Sequence, residues 1–164
     1  MKTLKRRKKE HKTDYLVRMK LLKSNRPRLV FRKTNKYSVI QYVESVAAQD
    51  KIVFGVTSKI LLNNGWPENL KGSLKSIPAT YLAGYFVGKK ILKDKLETPI
   101  VDLGMQRALA KTRIFAFIKG LIDAGVEVPC DEDKFPEEER LLGKSAKENT
   151  SKIVAEVKSK IDKL

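Results

Sequence analysis

Arg28-Leu29-Val30-Phe31-Arg32-Lys33-Thr34-Asn35-Lys36-Tyr37-Ser38-Val39-Ile40-Gln41-Tyr42-Val43-Glu44-Ser45 is the stretch from which the fold follows. Both halves are rich in Val, Ile, Phe and Tyr and alternate in part between apolar and polar positions, the period of a strand with one covered face. Asn35-Lys36 between them reads as a tight hairpin turn, with Asn tolerating the positive φ such a turn favours. In the first half Leu29 and Phe31 fall on one face, while Arg28 and Arg32 flank Val30 on the other. The expected sheet thus has a core face and a face that carries cations.

Working outward, strands are expected at 28–34, 37–45 and 51–58, a three-strand meander. A loop at about 63–76, made of Gly, Pro, Asn and Lys, holds the only tryptophan, Trp66. Pro78, well suited to a first helical turn, opens a helix over 78–95 with Tyr81, Leu82, Tyr85, Phe86 and Leu92 as its apolar body. Gly84 and Gly88, four apart, should let that helix lie close to the sheet. The same spacing serves membrane helix pairs, but Lys89, Lys90, Lys93 and Lys95 at its end argue against that reading. A short buried strand is expected at 99–103, then a loop with Arg107, Lys111 and Arg113. The next helix shows Ile114, Phe117, Ile118, Leu121 and Ile122 on one face and stops at Gly125. Ahead of the meander, Thr13 or Asp14 should cap a short helix whose stripe is Leu16, Met19, Leu22 and Leu21, with Arg18, Lys20 and Lys23 outside. Asn25-Arg26-Pro27 ends it.

The order helix, three strands, helix, strand, helix specifies an α/β fold. Three antiparallel strands followed by a right-handed helical crossover to a parallel fourth give a mixed sheet packed with helices, a ribonuclease-H-like topology behind a basic N-terminal arm. After Pro129 the chain turns acidic, through Asp131 to Glu139. A last helix from about Ser145, with Ile153, Val157, Ile161 and Leu164 as a narrow stripe, should dock on its own domain. The expected organisation is an arm at 1–13, one α/β domain at 14–143 and a C-terminal amphipathic helix at 144–164.

The 164 residues carry 35 Lys and Arg against 19 Asp and Glu, for a net charge of +16. Residues 1–36 hold fifteen basic and two acidic groups, 37–129 twelve and eight, 130–164 eight and nine, for nets of +13, +4 and −1. An excess concentrated at one end is what a local contact surface for a polyanion requires. The run Lys5-Arg6-Arg7-Lys8-Lys9 has almost nothing apolar to bury and is expected to order only against such a partner. With one cysteine, Cys130, neither an intramolecular disulfide nor a Cys-rich zinc site is available, which fits a reducing compartment. No run of about eighteen apolar residues and no secretory pattern are seen, so a cytoplasmic protein without membrane contact is expected.

Enzymatic readings find little footing. Two-metal hydrolysis on a ribonuclease-H-like sheet wants several convergent carboxylates; the first strand offers Arg28, Arg32 and Lys33, and Asp102 reads as a polar cap to the loop after it. His11 is the only histidine, which removes His–Asp dyads and His-based zinc sites, and it reads as a backbone or phosphate contact. The acidic cluster lacks EF-hand spacing, and neither phosphate-cradling glycine motif occurs, so no metal, cofactor or small-molecule substrate is expected. What remains is binding. Lys and Arg neutralise phosphates; Thr13, Asn35 and Ser38 suit phosphate or 2′-OH groups; Tyr15, Tyr37 and Trp66 are candidates to stack on unpaired bases.

Six stretches occur in order and carry a family resemblance. They are Lys12-Thr13-Asp14-Tyr15; Arg28 through Lys36; Pro78-Ala79-Thr80-Tyr81-Leu82-Ala83-Gly84-Tyr85; Val101-Asp102-Leu103-Gly104; Arg113-Ile114-Phe115-Ala116 with Lys119 through Gly125; and Phe135-Pro136-Glu137-Glu138-Glu139-Arg140. Over roughly residues 5–143 the chain resembles the universal large-subunit ribosomal protein eighteen family in its archaeal and eukaryotic form. The resemblance implies no enzymatic activity, a place in the central protuberance, and 5S rRNA, the large rRNA and universal ribosomal protein five as partners. It implies RNA contacts from Lys5, Arg6, Arg7, Lys8, Lys9, Lys12, Thr13, Tyr15 and Arg18, then Arg26, Arg28, Arg32, Lys33, Asn35 and Lys36, with Arg107 and Arg113 from the later loop. The chain departs from the family where Met105 through Thr112 stand in place of a Pro and a Gly-Ser or Gly-Thr pair, and where Ser76-Ile77 stand before Pro78. The alternatives of another class are a divergent ribonuclease-H-like nuclease and a generic basic RNA chaperone.

Overall fold

The structure is a computed structural model that describes residues 3–47, 49–143 and 150–163. Strands β1 (Arg28–Lys33), β2 (Ser38–Val46), β3 (Gln49–Thr57) and β4 (Ile100–Asp102) form one sheet in the order β3-β2-β1-β4. β1 pairs antiparallel with β2, placing Leu29 opposite Tyr42 and Phe31 opposite Ile40, and pairs parallel with β4, placing Leu29 beside Val101. β2 and β3 pair antiparallel, with a register shift between Tyr42 and Val43. The three-strand meander and the parallel fourth strand expected from the sequence are both present.

The hairpin turn forms for a different reason from the one expected. Asn35 does not take a positive φ. Thr34 closes the turn instead: its hydroxyl oxygen accepts from the Tyr37 amide at 3.0 Å and donates to the Tyr37 carbonyl, while the Thr34 amide donates to that same carbonyl at 2.9 Å. A hydroxyl bonded to nearby backbone substitutes for left-handed geometry.

Helices α4 (Ile77–Lys93) and α5 (Arg113–Asp123) cover one face of the sheet. Leu29, Phe31, Ile40 and Tyr42 meet Ala83, Val87, Ile91, Ile114, Phe117 and Leu121, with the Phe31 and Phe117 rings stacked at 4.6 Å. Each fully buried large side chain of this set contributes about 1.5–3 kcal/mol. Ser76 caps α4 by accepting from the Ala79 amide, and Pro78 sits in the first turn as expected. Two expectations about α4 need correction. Leu92 is 49% exposed rather than part of the apolar body. Gly84 and Gly88 face α5 rather than the sheet: a Cβ on Gly84 would meet the Phe117 carbonyl, one on Gly88 would lie 2.5 Å from the Ala124 Cβ, and Gly120 answers from α5 against the Tyr81 carbonyl. The glycines therefore set how closely the two helices approach.

A second cluster lies on the far side of α4. Leu61 from α3 (Ile60–Asn63), Trp66, Leu74, Leu82 and Tyr85 enclose Val154, Val157 and Ile161 of α7 (Ser151–Asp162). The C-terminal stripe thus packs on its own domain; its expected start near Ser145 and its last member, Leu164, lie outside the described residues. At the other end, α1 (Arg6–Lys9) is a single exposed helical turn, where no order was expected in isolation, with Glu10 paired to Arg6 at 3.6 Å and to Lys12 at 2.9 Å. In α2 (Tyr15–Lys23), Asp14 is the cap, accepting from the Leu16 and Val17 amides. The stripe of α2 is not buried: Leu16 is 69% and Met19 56% exposed. Among the described residues no helix is long and apolar enough to cross a membrane.

Candidate nucleic-acid interface

The outer face of the sheet holds the arginines that period-two alternation places there, and it also holds two carboxylates. Asp50 comes from β3 and Asp102 from the end of β4. Arg28 is 3% exposed; its Nη1 donates to Asp102 Oδ2 at 2.8 Å and its Nη2 to Asp50 Oδ1 at 2.8 Å and Ser45 Oγ at 3.1 Å. Arg18 of α2 reaches the other Asp50 oxygen at 3.0 Å and so ties that helix to the sheet. Burial alone would raise the Asp50 carboxyl, but hydrogen bonds from Ser45, Arg18 and Arg28 outweigh it and hold the group below its ordinary range. Asp102 does cap the loop after it, as expected, accepting from the Gly104 amide at 2.8 Å. It also receives Arg32 at 3.4 Å. Gly104 has φ +61°, and a Cβ on it would lie 2.9 Å from the Arg32 guanidinium carbon, so glycine here makes room for that side chain as well as for the turn.

These contacts divide the expected contact residues. Arg28 is a correction: its guanidinium is sealed between carboxylates and faces no solvent. Arg32 stays 42% exposed while also donating to the Phe31 and Asp102 carbonyls. Arg26 reaches the Thr98 carbonyl from an exposed position. Lys33, Asn35 and Lys36 are exposed at the hairpin tip, and Arg107 is exposed in the later loop. In the arm, Lys5, Arg6, Arg7, Lys8, Lys9 and Lys12 are all exposed, Lys5 lies over the Tyr15 ring at 4.6 Å, and Arg7 donates to the Thr13 hydroxyl at 2.9 Å. His11 takes φ 51° and its amide closes the turn on the Lys8 carbonyl.

Two of the candidate polar and stacking groups fall away. Trp66 is 3% exposed and its indole N–H donates to the Leu70 carbonyl at 3.2 Å, so it belongs to the core. Ser38 is buried, its amide bonded to the Ser58 hydroxyl. Tyr37 remains half-buried at the hairpin with Lys59 over its ring at 4.6 Å. The missed residues are Asp50, the hub of the outer face, and Lys75 and Arg140, which share a cleft with Arg113. Asp50 carries one usable signal, since a lone carboxylate early in a strand of a cation-bearing sheet faces arginines two strands away. Cys130 is half-buried against the core, and burial pushes its thiol up.

A small mixed-sheet domain whose outer-face Asp50 and Asp102 are held by arginines, and which presents exposed cations over 5–12 and at the hairpin tip, belongs to the class of small basic α/β proteins. Residues 1–99 match the family model described as "Ribosomal large subunit proteins 60S L5, and 50S L18". The large ribosomal subunit protein uL18 of Korarchaeum cryptofilum (strain OPF8) is 37% identical over 138 residues, covering 84% of this chain and 69% of that one. Its counterpart in Thermofilum pendens (strain DSM 2475 / Hrk 5) is 34% identical over 159 residues, 97% and 79% of the two chains. That of Methanoculleus marisnigri (strain ATCC 35101 / DSM 1498 / JR1) is 41% identical over 138 residues, 84% and 77%. The chain belongs to the uL18 family of large-subunit ribosomal proteins. It is a structural, non-enzymatic component of the large subunit, which sets aside the nuclease alternative. The geometry agrees, because Asp102 is held by Arg28 and Arg32 and is not open to a metal ion.

Proposed function

We propose that this protein binds 5S rRNA and helps attach it to the large rRNA in the central protuberance, beside universal ribosomal protein five. The observation that carries the reading is the row of exposed cations over 5–12, set beside an exposed hairpin tip with Lys33, Asn35 and Lys36. Family membership supports the RNA class, and the charge asymmetry supports the place of contact. In this reading 1–13 acts as a basic arm on a ribonuclease-H-like domain at 14–143, a topology to which the order β3-β2-β1-β4 with its one parallel pair is suited. Lys5 through Lys9, Lys12, Thr13, Tyr15 and Arg18 serve the arm and its junction. Arg26, Arg32, Lys33, Asn35, Lys36 and Arg107 serve the sheet rim and the later loop.

The test is a titration of 5S rRNA against the full chain and a chain lacking residues 1–12, at 50 to 200 mM salt. With about 6–10 phosphate contacts the full chain should lose roughly 10³–10⁵ in affinity over that range, and the truncated chain should bind more weakly with a flatter slope. Equal affinity and slope for the two chains remove the arm from the mechanism. Equal competition by tRNA converts the reading into generic RNA binding.

A further inference from the structure

Four cations from three separate parts of the chain line one concavity beside the hairpin tip. The cleft, about 620 Å³, is bounded by Thr34 and Asn35 of the hairpin, Lys75 and Ser76 at the start of α4, Lys111, Thr112 and Arg113 at the start of α5, and Arg140 of α6 (Glu138–Leu141). Among the described residues no carboxylate lines it. Like charges brought together around a concavity repel one another, so the arrangement favours an anionic occupant.

The partners of these cations sharpen the point. Among the described residues, Lys111 is the only one of the four with an acidic partner, Glu137 at 3.1 Å, and both of those groups are about half exposed. Arg113 donates to the Lys75 carbonyl at 3.3 Å, which keeps its guanidinium at the mouth and leaves its charge uncompensated. Neither the Lys75 ammonium nor the Arg140 guanidinium has a partner among the described residues. Thr112 turns its hydroxyl to the Leu109 carbonyl at 2.7 Å, so no side chain caps α5, and the positive end of its dipole adds to the field of the side chains. Asn35 supplies a neutral amide donor from the hairpin.

We infer that this cleft seats the phosphodiester backbone of the RNA as a second contact zone, separate from the basic arm. The inference rests on the RNA-binding reading above. It adds Lys75, Lys111 and Arg140 to the interface and gives Arg113 a definite role. A concavity with four cations, the Ser76 hydroxyl and one amide matches a phosphate with its flanking ribose, and lacks the exposed aromatic surface that base recognition uses. Contact here should be insensitive to base sequence and strongly dependent on salt.

The experiment compares the full chain with Lys75→Gln/Arg140→Gln, two side chains without a partner among the described residues, and with the same variant carrying Arg113→Gln. Binding of 5S rRNA is measured from 50 to 200 mM salt, with inorganic phosphate as a separate titrant followed by the Thr112 and Arg113 amide resonances. Removing one cation–phosphate pair lowers the log–log slope by about 0.7–0.9, so the slope of the double variant should fall by about 1.4–1.8 and that of the triple variant by more, with unchanged thermal midpoints for the double variant. A double variant with the slope and affinity of the parent, while deletion of residues 1–12 still lowers both, overturns the cleft and leaves RNA binding by the arm intact. Loss of the inorganic phosphate response without any change in RNA binding also overturns it, because the cleft would then serve a free anion. Failure of the parent chain to bind 5S rRNA at 50 mM salt fails the underlying reading instead.

Discussion

Replacing Asp102 with Ala removes one carboxylate and leaves a guanidinium that the fold has nowhere to hydrate. Arg28 is 3% exposed, and Asp102 is the more enclosed of its two acidic partners, at 8% side-chain exposure against 35% for Asp50. The Gly104 amide loses its acceptor in the same change. Breaking a buried ion pair by deleting one partner costs about 3–5 kcal/mol. For a chain of this size each kcal/mol lowers Tm by about 2–4 °C, so a fall of about 6–20 °C is expected by circular dichroism. The paired change Arg28→Met/Asp102→Leu removes both charges and keeps the volume, and it should recover most of the loss, since desolvating the ions offsets much of their attraction. RNA affinity measured well below the melting range should be nearly unchanged in the paired variant, because the Arg28 guanidinium is buried. A single variant within about 1 kcal/mol of the parent, or a paired variant less stable than either single one, refutes the assignment of Arg28 as a buried strut.

Gly120→Ala should lower the urea midpoint by the equivalent of about 1–3 kcal/mol, because its Cβ would meet the Tyr81 carbonyl and force α4 and α5 apart; an unchanged midpoint means the helices are not held at this separation. Ile161→Ala should cost about 2–5 kcal/mol and shift Trp66 fluorescence to the red, since both side chains share one cluster. A blue-shifted, unmoved Trp66 signal would show that α7 does not cover it. The Asp50 carboxyl is held below its ordinary value of 3.8, and so is Asp162, which accepts from the Tyr85 hydroxyl and pairs with Lys89. A depressed folded pKa contributes stability that is present above the unfolded value and lost as pH falls through the folded one. Tm should therefore fall below about pH 4, and Asp50→Asn should lessen that fall; a Tm constant down to about pH 2 contradicts both pairings.

The sheet was legible because its signals are local. Period-two alternation over 28–45, a turn between its halves and a crossover helix with Pro78 in its first turn depend on neighbours in the chain. Boundaries held to within two residues at most ends, and α5 was plain from its five-residue apolar face. What escaped depends on partners distant in sequence. Gly84 and Gly88 look the same whether they face a sheet or a helix, and Gly120, which decides the matter, lies on another element. Trp66 among cations and turn residues resembles a stacking group, and only the arrival of α7 from the end of the chain buries it. The stripe on α2 has the spacing of a buried face, yet nothing among the described residues covers Leu16 or Met19. The run of exposed cations over 5–12, which the proposed reading uses as its arm, could be read from charge density alone. The cleft could not, because Thr34, Lys75, Arg113 and Arg140 are joined only by the fold.

The cations in the first 36 residues are held differently, with Arg28 buried outright, Arg18 and Arg32 paired yet partly exposed and the described lysines exposed to solvent, and this bears on which substitutions the chain tolerates. Arg18, Arg28 and Arg32 converge on Asp50 and Asp102, where a planar guanidinium can serve two acceptors at once. Lys8, Lys9, Lys20, Lys23, Lys33 and Lys36 have no side-chain partner among the described residues and present point charges to solvent. Arg28→Lys keeps the charge but offers one nitrogen where two now bridge carboxylates on opposite sides, 2.8 Å from each. It should destabilise by a few kcal/mol, on the order of the buried-pair cost, with little change in the salt slope of RNA binding. Lys33→Arg/Lys36→Arg should leave both stability and slope near the parent values, since any cation neutralises a phosphate at an exposed site. Equal tolerance of the two exchanges would mean that the outer-face pairs contribute no more than surface ions, and the separation of strut from contact would then have to be abandoned.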